Sequence, residues 1–401
     1  MTEPVEIPSI AVLPFDNLTG DPDQVYLGDG LTEEIITALS KVRNLLVVAR
    51  NSTFVYKGKP VKVQKVAKDL NVRYVLEGSV RRSADTLRIT AQLIDAETGH
   101  HLWADNFDGP VADLFAVQEM ITQEIVTALA VKLTEGEQIR VWRKHSRNLK
   151  AWEYMMRGAT LFESFGKENN ALARDLFEKA IETDRGYALG YAMLAWTHWA
   201  EATHGWGDRP DLALEQAEVL AIRAGALDDE LPDVHALQGA ILTYREKYDE
   251  ALIAARKAVE LNPNHATNTA LLGMALTAAG EAEEAVRTFQ RAMRLSPVYP
   301  PWFLQGLGWS HLQAEQFKEA IARFREYLHR EPQSRNIGVY LGAALALDAM
   351  GRGIRARVTI DDALEIEPAA SVTVFRQMVK RRDPAMVDAW ATSLERIGLP
   401  K

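Results

Sequence analysis

The chain has 401 residues, 47% of them hydrophobic and 25% charged, with a formal net charge of −9 and no cysteine. That length exceeds one ordinary hydrophobic core, so two or three domains are expected. The acidic balance argues against a dedicated nucleic-acid or membrane-surface binder, and the missing thiols exclude disulfides, thiolate nucleophiles and cysteine zinc sites. MTEPVEIP at the start has neither the basic residues nor the apolar core of a signal peptide. The longest apolar run, GVYLGAALAL from Gly338 to Leu347, falls short of the roughly 20 residues of a membrane helix. The expectation is a cytoplasmic protein with no membrane partner.

In chain order, IAVLPF and LLVVAR (Leu45 to Arg50) are short apolar runs that read as buried strands. Between them Leu31, Ile35, Leu39 and Val42 recur at helical spacing, as do Val63, Val66, Ala67 and Leu70 further on. YVLEGSVRR, TLRITAQLID and HLWADNF follow as three strands joined by tight turns. In the second of these Leu87, Ile89, Ala91 and Leu93 alternate with polar residues, as in a sheet with one covered face. A long amphipathic helix from Val111 to Leu133 closes the unit. The pattern predicts an α/β domain of mixed sheet over residues 8–138, after a tail at 1–7.

Beyond a linker helix at 139–150 the strands stop and a period near 34 begins. GAILTYREKYDEALIAARKAVELNP (Gly239 to Pro263) returns as GMALTAAGEAEEAVRTFQRAMRLSP (Gly273 to Pro297). It returns again from Gly308 to Pro332, and more loosely from Gly342 to Pro368. Upstream, Ala173, Phe177 and Ala180 match half a unit, and Ala195 to Asp229 is a divergent copy with an insertion near THGWGDRPD. This spacing resembles the tetratricopeptide repeat, in which small residues sit where two helices cross, bulky ones fill between them and proline ends the second helix. About six copies over 151–368, capped by a helical segment at 369–401, predict an all-α superhelix with a concave face.

The loop GDPDQVYLGDGLTEEI, between the first strand and first helix, invites a test for phosphate or metal. The only Gly-Lys pair, Gly58-Lys59, is followed by proline, so there is no phosphate loop, and Glu33 stands where a dinucleotide fingerprint needs its third glycine. An EF-hand begun at Asp21 would place Tyr26 at the required glycine and Thr32 at the bidentate glutamate. The plainer expectation is that Asp29 caps the helix and the glycines permit turns. His100 and His101, near Asp105 and Asp108, alternate to opposite faces of a strand. No catalytic, cofactor-binding or metal-ligating residue is nominated, and the chain is expected not to be an enzyme.

Charge is segregated along the first domain. Residues 1–40 carry eight acids and no base, residues 41–88 carry twelve Lys or Arg against three acids, and residues 89–138 carry nine acids against Lys132. Arg50, Lys57, Lys59, Lys62 and Lys65, interleaved with Phe54 and Tyr56, are a candidate anion or nucleic-acid patch. The competing reading is that segments of opposite sign pair within the fold.

These sequences closely resemble the TolB-N-terminal-like domain: PSIAVLPFDNLTGDPDQVYLGDGLTEEI, VRYVLEGSVRR, LRITAQLIDAETGHHLWADNFDG and the DLFAVQEMITQEIV helix. In bacterial regulators that domain follows a class III adenylate or guanylate cyclase domain or a winged-helix DNA-binding domain, and precedes tetratricopeptide repeats. The ending, RRDPAMVDAWATSLERIGLPK, is similar to the cap of the cyclase-linked members. The resemblance implies a signalling and regulatory role, with the effector part expected to be missing from this sequence. None of the residues a cyclase needs can be carried over. The leading expectation is a scaffold binding a protein or peptide of apolar or aromatic character. Projected onto the concave face, the repeats nominate Trp196, Trp199, Tyr244, Met274, Trp302, Gln305, Trp309 and Leu312 as the groove. The alternatives are a regulatory partner or remnant of a cyclase, and a transcription regulator lacking its DNA-binding domain.

Overall fold

A computed structural model of the chain describes residues 7–131, 133–141 and 148–401. They fall into two compact units: Met1–Leu237 with Lys257–Ala266 and Leu295–Val298, and Gln238–Arg256 with Thr267–Arg294 and Tyr299–Lys401.

The first unit begins with β1 (Ser9–Val12), β2 (Asp16–Asn17), α1 (Val25–Ser40), β3 (Leu46–Val47), α2 (Arg50–Thr53) and α3 (Val63–Leu70). Three ten-residue strands follow, β4 (Tyr74–Ser83), β5 (Thr86–Asp95) and β6 (His101–Pro110). The sheet order is β3-β1-β4-β5-β6, with β2 beside β4. β1 is parallel to β3 and β4, while β4–β5 and β5–β6 are antiparallel, so the sheet is mixed as the sequence pattern predicts. Leu87, Ile89, Ala91 and Leu93 of β5 are all buried, which fixes its register because a slip of one residue would turn them to water. The predicted helix of Val111 to Leu133 is shorter: a single tight turn at Val111–Asp113 leads into α4 (Leu114–Ala128). α5 (Glu135–Val141) comes next. Of the expected linker helix, residues 142–147 lie outside the described residues.

α1 corrects the reading of the opening loop. Asp29 does not cap α1, which starts at Val25 with no side-chain cap; Asp21 caps the short turn before it, its carboxylate accepting from the Asp23 N–H at 2.9 Å. Gly28, Asp29 and Gly30 therefore lie inside the helix. Each helical glycine costs about 1 kcal/mol relative to alanine. Close packing explains both, since a Cβ on Gly28 would overlap the Phe15 carbonyl and one on Gly30 would overlap the Trp152 ring.

Helix pairs follow: α6 (Leu149–Glu163) and α7 (Lys167–Thr183), α8 (Ala188–His204) and α9 (Pro210–Leu227), α10 (Pro232–Tyr244) and α11 (Tyr248–Leu261). Then come α12 (Ala266–Ala279) and α13 (Ala282–Leu295), α14 (Pro301–Gln313) and α15 (Phe317–Arg330), and α16 (Ile337–Ala349) and α17 (Gly353–Ile366). Glycine on the first helix meets a bulky residue on the second. Gly158 lies against Phe177, Gly273 against Phe289, and Gly308 against Phe324, and all three phenylalanines are fully buried. The crossing of helices on a small residue is thus set by the repeat.

Two late stretches of sequence belong to the first unit and complete it. The C-terminus of α1 leaves carbonyls without helical partners. Buried Asn264 supplies them: its Nδ2 lies 3.2, 2.7 and 2.8 Å from the carbonyls of Ser40, Val42 and Leu45. The Leu295 carbonyl accepts from the Ala49 N–H, and the hydroxyls of Ser52 and Ser296 share a hydrogen bond of 3.1 Å.

The second unit ends in α18 (Val372–Met378) and α19 (Pro384–Ile397). Ser371 and Asp383 cap their N-termini, and Gly398 ends α19 in the left-handed conformation. Phe375, Val387, Ala391 and Leu394 join the core that holds Phe324, Leu345 and Ile360. No helix among the described residues is long and apolar enough to cross a membrane.

Candidate partner-binding faces

The eight residues nominated for the groove divide between the units. In the first, Trp196 and Trp199 lie three apart on α8, one helical turn, and pack edge to face with ring centres 5.3 Å apart. Both are half-buried, and the Trp199 indole Nε1 is enclosed without a hydrogen-bond partner. Next to them, His198 has its pKa pushed down to about 4 by burial and by the Arg174 guanidinium, so it is neutral at physiological pH.

In the second unit, Tyr244 on α10 and Met274 on α12 are 37% and 41% exposed. Trp302 and Gln305 on α14 are half-buried; Trp302 packs on Phe303, and Gln305 exchanges hydrogen bonds with Asn336. Trp309 and Leu312 depart from the expectation of a solvent-facing groove, being only 6% and 3% exposed. Trp309 packs against Phe324, Phe375 and Trp390, so helices beyond the repeats cover it. Repeat periodicity carries no information about that cover, because α18 and α19 do not share it.

The five basic residues nominated as an anion patch do not form one free surface. Arg50 Nε lies 2.8 Å from Glu33 and its guanidinium also pairs with Glu163 while stacking on Phe54. Lys57 reaches Asp29 at 2.5 Å. Lys59, Lys62 and Lys65 are exposed. Arg73 and Arg88 from the same basic segment pair with Asp95 and Asp108 of the following acidic one at 2.9 and 2.6 Å. Burial opposes it, but the Arg73 bond and the N–H groups of Thr98 and Glu97 hold Asp95 below the usual carboxylate range. Pairing of opposite segments thus takes up Arg50 and Lys57.

Two acids of α1 have roles that the sequence did not suggest. Glu33 and Glu34 lie well inside α1, which starts eight residues before Glu33. Burial raises the pKa of both; Arg50 opposes this at Glu33, and the Trp152 indole, donating at 3.1 Å, opposes it at Glu34. Nearby the Tyr187 hydroxyl is fully buried without a partner, and burial raises it well above the ordinary phenol value. Among the described residues no group of three or more His, Asp or Glu is placed to hold a metal ion.

Residues 232–265 match a tetratricopeptide repeat. That repeat is the helix pair α10–α11. Residues 6–138 match the second domain of HilA/YgeH-like transcriptional regulators. "Putative adenylate cyclase 3" of Rhizobium meliloti (strain 1021) is 45% identical over 245 residues, 61% of this chain and 42% of that protein. Anaphase-promoting complex subunit 7 of Homo sapiens is 31% identical over 108 residues, 27% of this chain and 19% of that protein. The chain therefore spans less than half the length of these curated relatives. Among solved structures, the APC/C hetero-tetramer Cut9-Hcn1 aligns at a TM-score of 0.46 and 15% identity, over 70% of this chain and 53% of that one. So loose a likeness carries no functional weight.

Proposed function

We propose that the chain is a non-enzymatic regulatory scaffold of bacterial signalling that captures a protein segment on its repeat helices. The observation that carries this reading is the Trp196–Trp199 pair: two half-buried rings side by side, with an enclosed indole N–H lacking an acceptor. An extended segment can lay an apolar side chain against the accessible parts of the two rings. A partner of apolar or aromatic character fits this first-unit face. The reading keeps the α/β domain as TolB-N-terminal-like, on the sequence segments that carry that resemblance, and places the protein in the cytoplasm.

A photo-crosslinking residue at position 196 should capture a partner protein in the native host. The same residue at 253, an exposed position on α11, should not, and adding Trp199→Ala should abolish capture. Equal capture at both positions, or capture that survives Trp199→Ala, contradicts the placement.

The 45% identical relative favours a second reading, in which the chain regulates a nucleotide cyclase or is the regulatory part of one. On either reading the purified chain forms no cyclic nucleotide from ATP or GTP; measurable turnover would refute the non-enzymatic assignment. The match of residues 6–138 to a transcription-regulator domain favours a third, tested by a gel shift at physiological salt with random-sequence duplex, where no retardation is expected.

A further inference from the structure

Within the second unit, the five residues between α18 and α19, Val379-Lys380-Arg381-Arg382-Asp383, run over positions on four repeat helices. Every basic side chain of this strap meets an aromatic ring. Lys380 Nζ lies 4.5 Å from the centre of the Tyr244 ring, donates to the Tyr244 carbonyl at 3.1 Å and stands 3.3 Å from Glu246. The Arg381 guanidinium is 5.7 Å from the Trp309 ring centre. Arg382 lies 5.8 Å from the Tyr248 ring centre and 2.5 Å from Asp249, while its backbone N–H donates to the Ala278 carbonyl at 2.9 Å. Three rings, two carboxylates and two backbone carbonyls thus form a face whose chemistry is that of a cation receptor.

The strap is an imperfect occupant. Arg381 Nε and the Tyr248 hydroxyl are both enclosed without partners. Burial pulls the Arg381 pKa down to about 10, so the side chain is still charged at neutral pH and its desolvation is incompletely repaid. The ion pairs hold weakly: Asp249 is 87% exposed and Glu246 54%, and such pairs contribute on the order of 0–1 kcal/mol each. Val379, 5% exposed, and the packed helices on either side do most of the anchoring.

We propose that this face is a receptor for an extended protein segment bearing adjacent Lys and Arg side chains, and that residues 379–383 are a built-in occupant which such a partner displaces. The inference rests on the interaction reading above and specifies the partner chemistry of the second unit. An apolar segment gains nothing from Glu246 and Asp249 and leaves the rings without their cations.

The test uses the full chain and a fluorescein-labelled peptide of the strap sequence, QMVKRRDPAM, read by polarisation. In the wild type the strap competes at an effective concentration in about the mM range, so binding is weak. The variant K380A/R381A/R382A should bind at least about tenfold more tightly, and a peptide with leucines in place of its three basic residues should not bind. The milder K380Q/R382Q changes only two partly exposed side chains, leaves Arg381 seated and should gain about threefold; it serves if the triple variant melts early. No gain in either folded variant, or equal binding of the leucine peptide, overturns the proposal. Loss of peptide binding with intact crosslinking at position 196 removes this inference alone; loss of both removes the interaction reading as well.

Discussion

The two units dress similar aromatic faces differently. In the first, Trp196 and Trp199 stay half-buried with an indole N–H unpaired, whereas in the second, Tyr244, Tyr248 and Trp309 each carry a cation from the chain's own strap. Repeats of similar sequence therefore do not imply repeats of similar availability. What decides availability is chain outside the period: α18 and α19 cover Trp309, and Lys380 to Arg382 lie against Tyr244, Tyr248 and Trp309.

The sharpest way to break this comparison is to unfold one unit without the other. Phe324 is fully buried and fills the space above Gly308 and Gly342, so Phe324→Ala should cost the second unit about 3–5 kcal/mol. Hydrogen exchange resolved by segment should show the loss in α14–α17 and spare β1–β6; uniform loss would mean that the units unfold as one. Asn264→Ala should act on the first unit by about 2 kcal/mol, because it strips the polar partner from the carbonyls of Ser40, Val42 and Leu45. Its exchange signature should appear at the end of α1 and in β3.

A smaller effect separates the units by pH. Glu34 in the first unit has a raised folded pKa from burial, so the stability it contributes is present below its unfolded value near 4.5 and is lost as pH rises through the folded value. Glu284 in the second is held down by its bond to Arg256, so its contribution is present above 4.5 and is lost as pH falls. Glu34→Gln should accordingly remove a loss seen on going from pH 4 to pH 7, and Glu284→Gln a loss seen on acidification. Segment-resolved exchange at the two pH values checks both signs, and identical pH profiles for the two variants would contradict these assignments.

Much of the fold was legible in the sequence for a physical reason. Period-2 alternation in Leu87 to Leu93 and the 34-residue return of Gly239 at Gly273 are direct traces of which side chains must be buried. Gly28 and Gly30 misled because a glycine kept for close packing against Phe15 and Trp152 is indistinguishable, in one sequence, from a glycine kept for a turn. The groove was half legible: periodicity places Trp302 and Trp309 on one helix, but only the fold shows α18 and α19 covering Trp309. The basic run Lys380-Arg381-Arg382 was visible as composition, and its aromatic partners lie too far away in sequence, from Tyr244 to Trp309, to be paired by any local rule.

The most direct test exploits the absence of cysteine from the chain, which makes Val379→Cys a single reporter of the seated strap. Its reaction with a thiol reagent should be slow in the free chain and at least about tenfold faster with saturating QMVKRRDPAM peptide, since displacement exposes the thiol. Fast reaction in the free chain, or a slow reaction that the peptide leaves unchanged, would contradict the claim that the second unit holds a displaceable occupant on its receptor face.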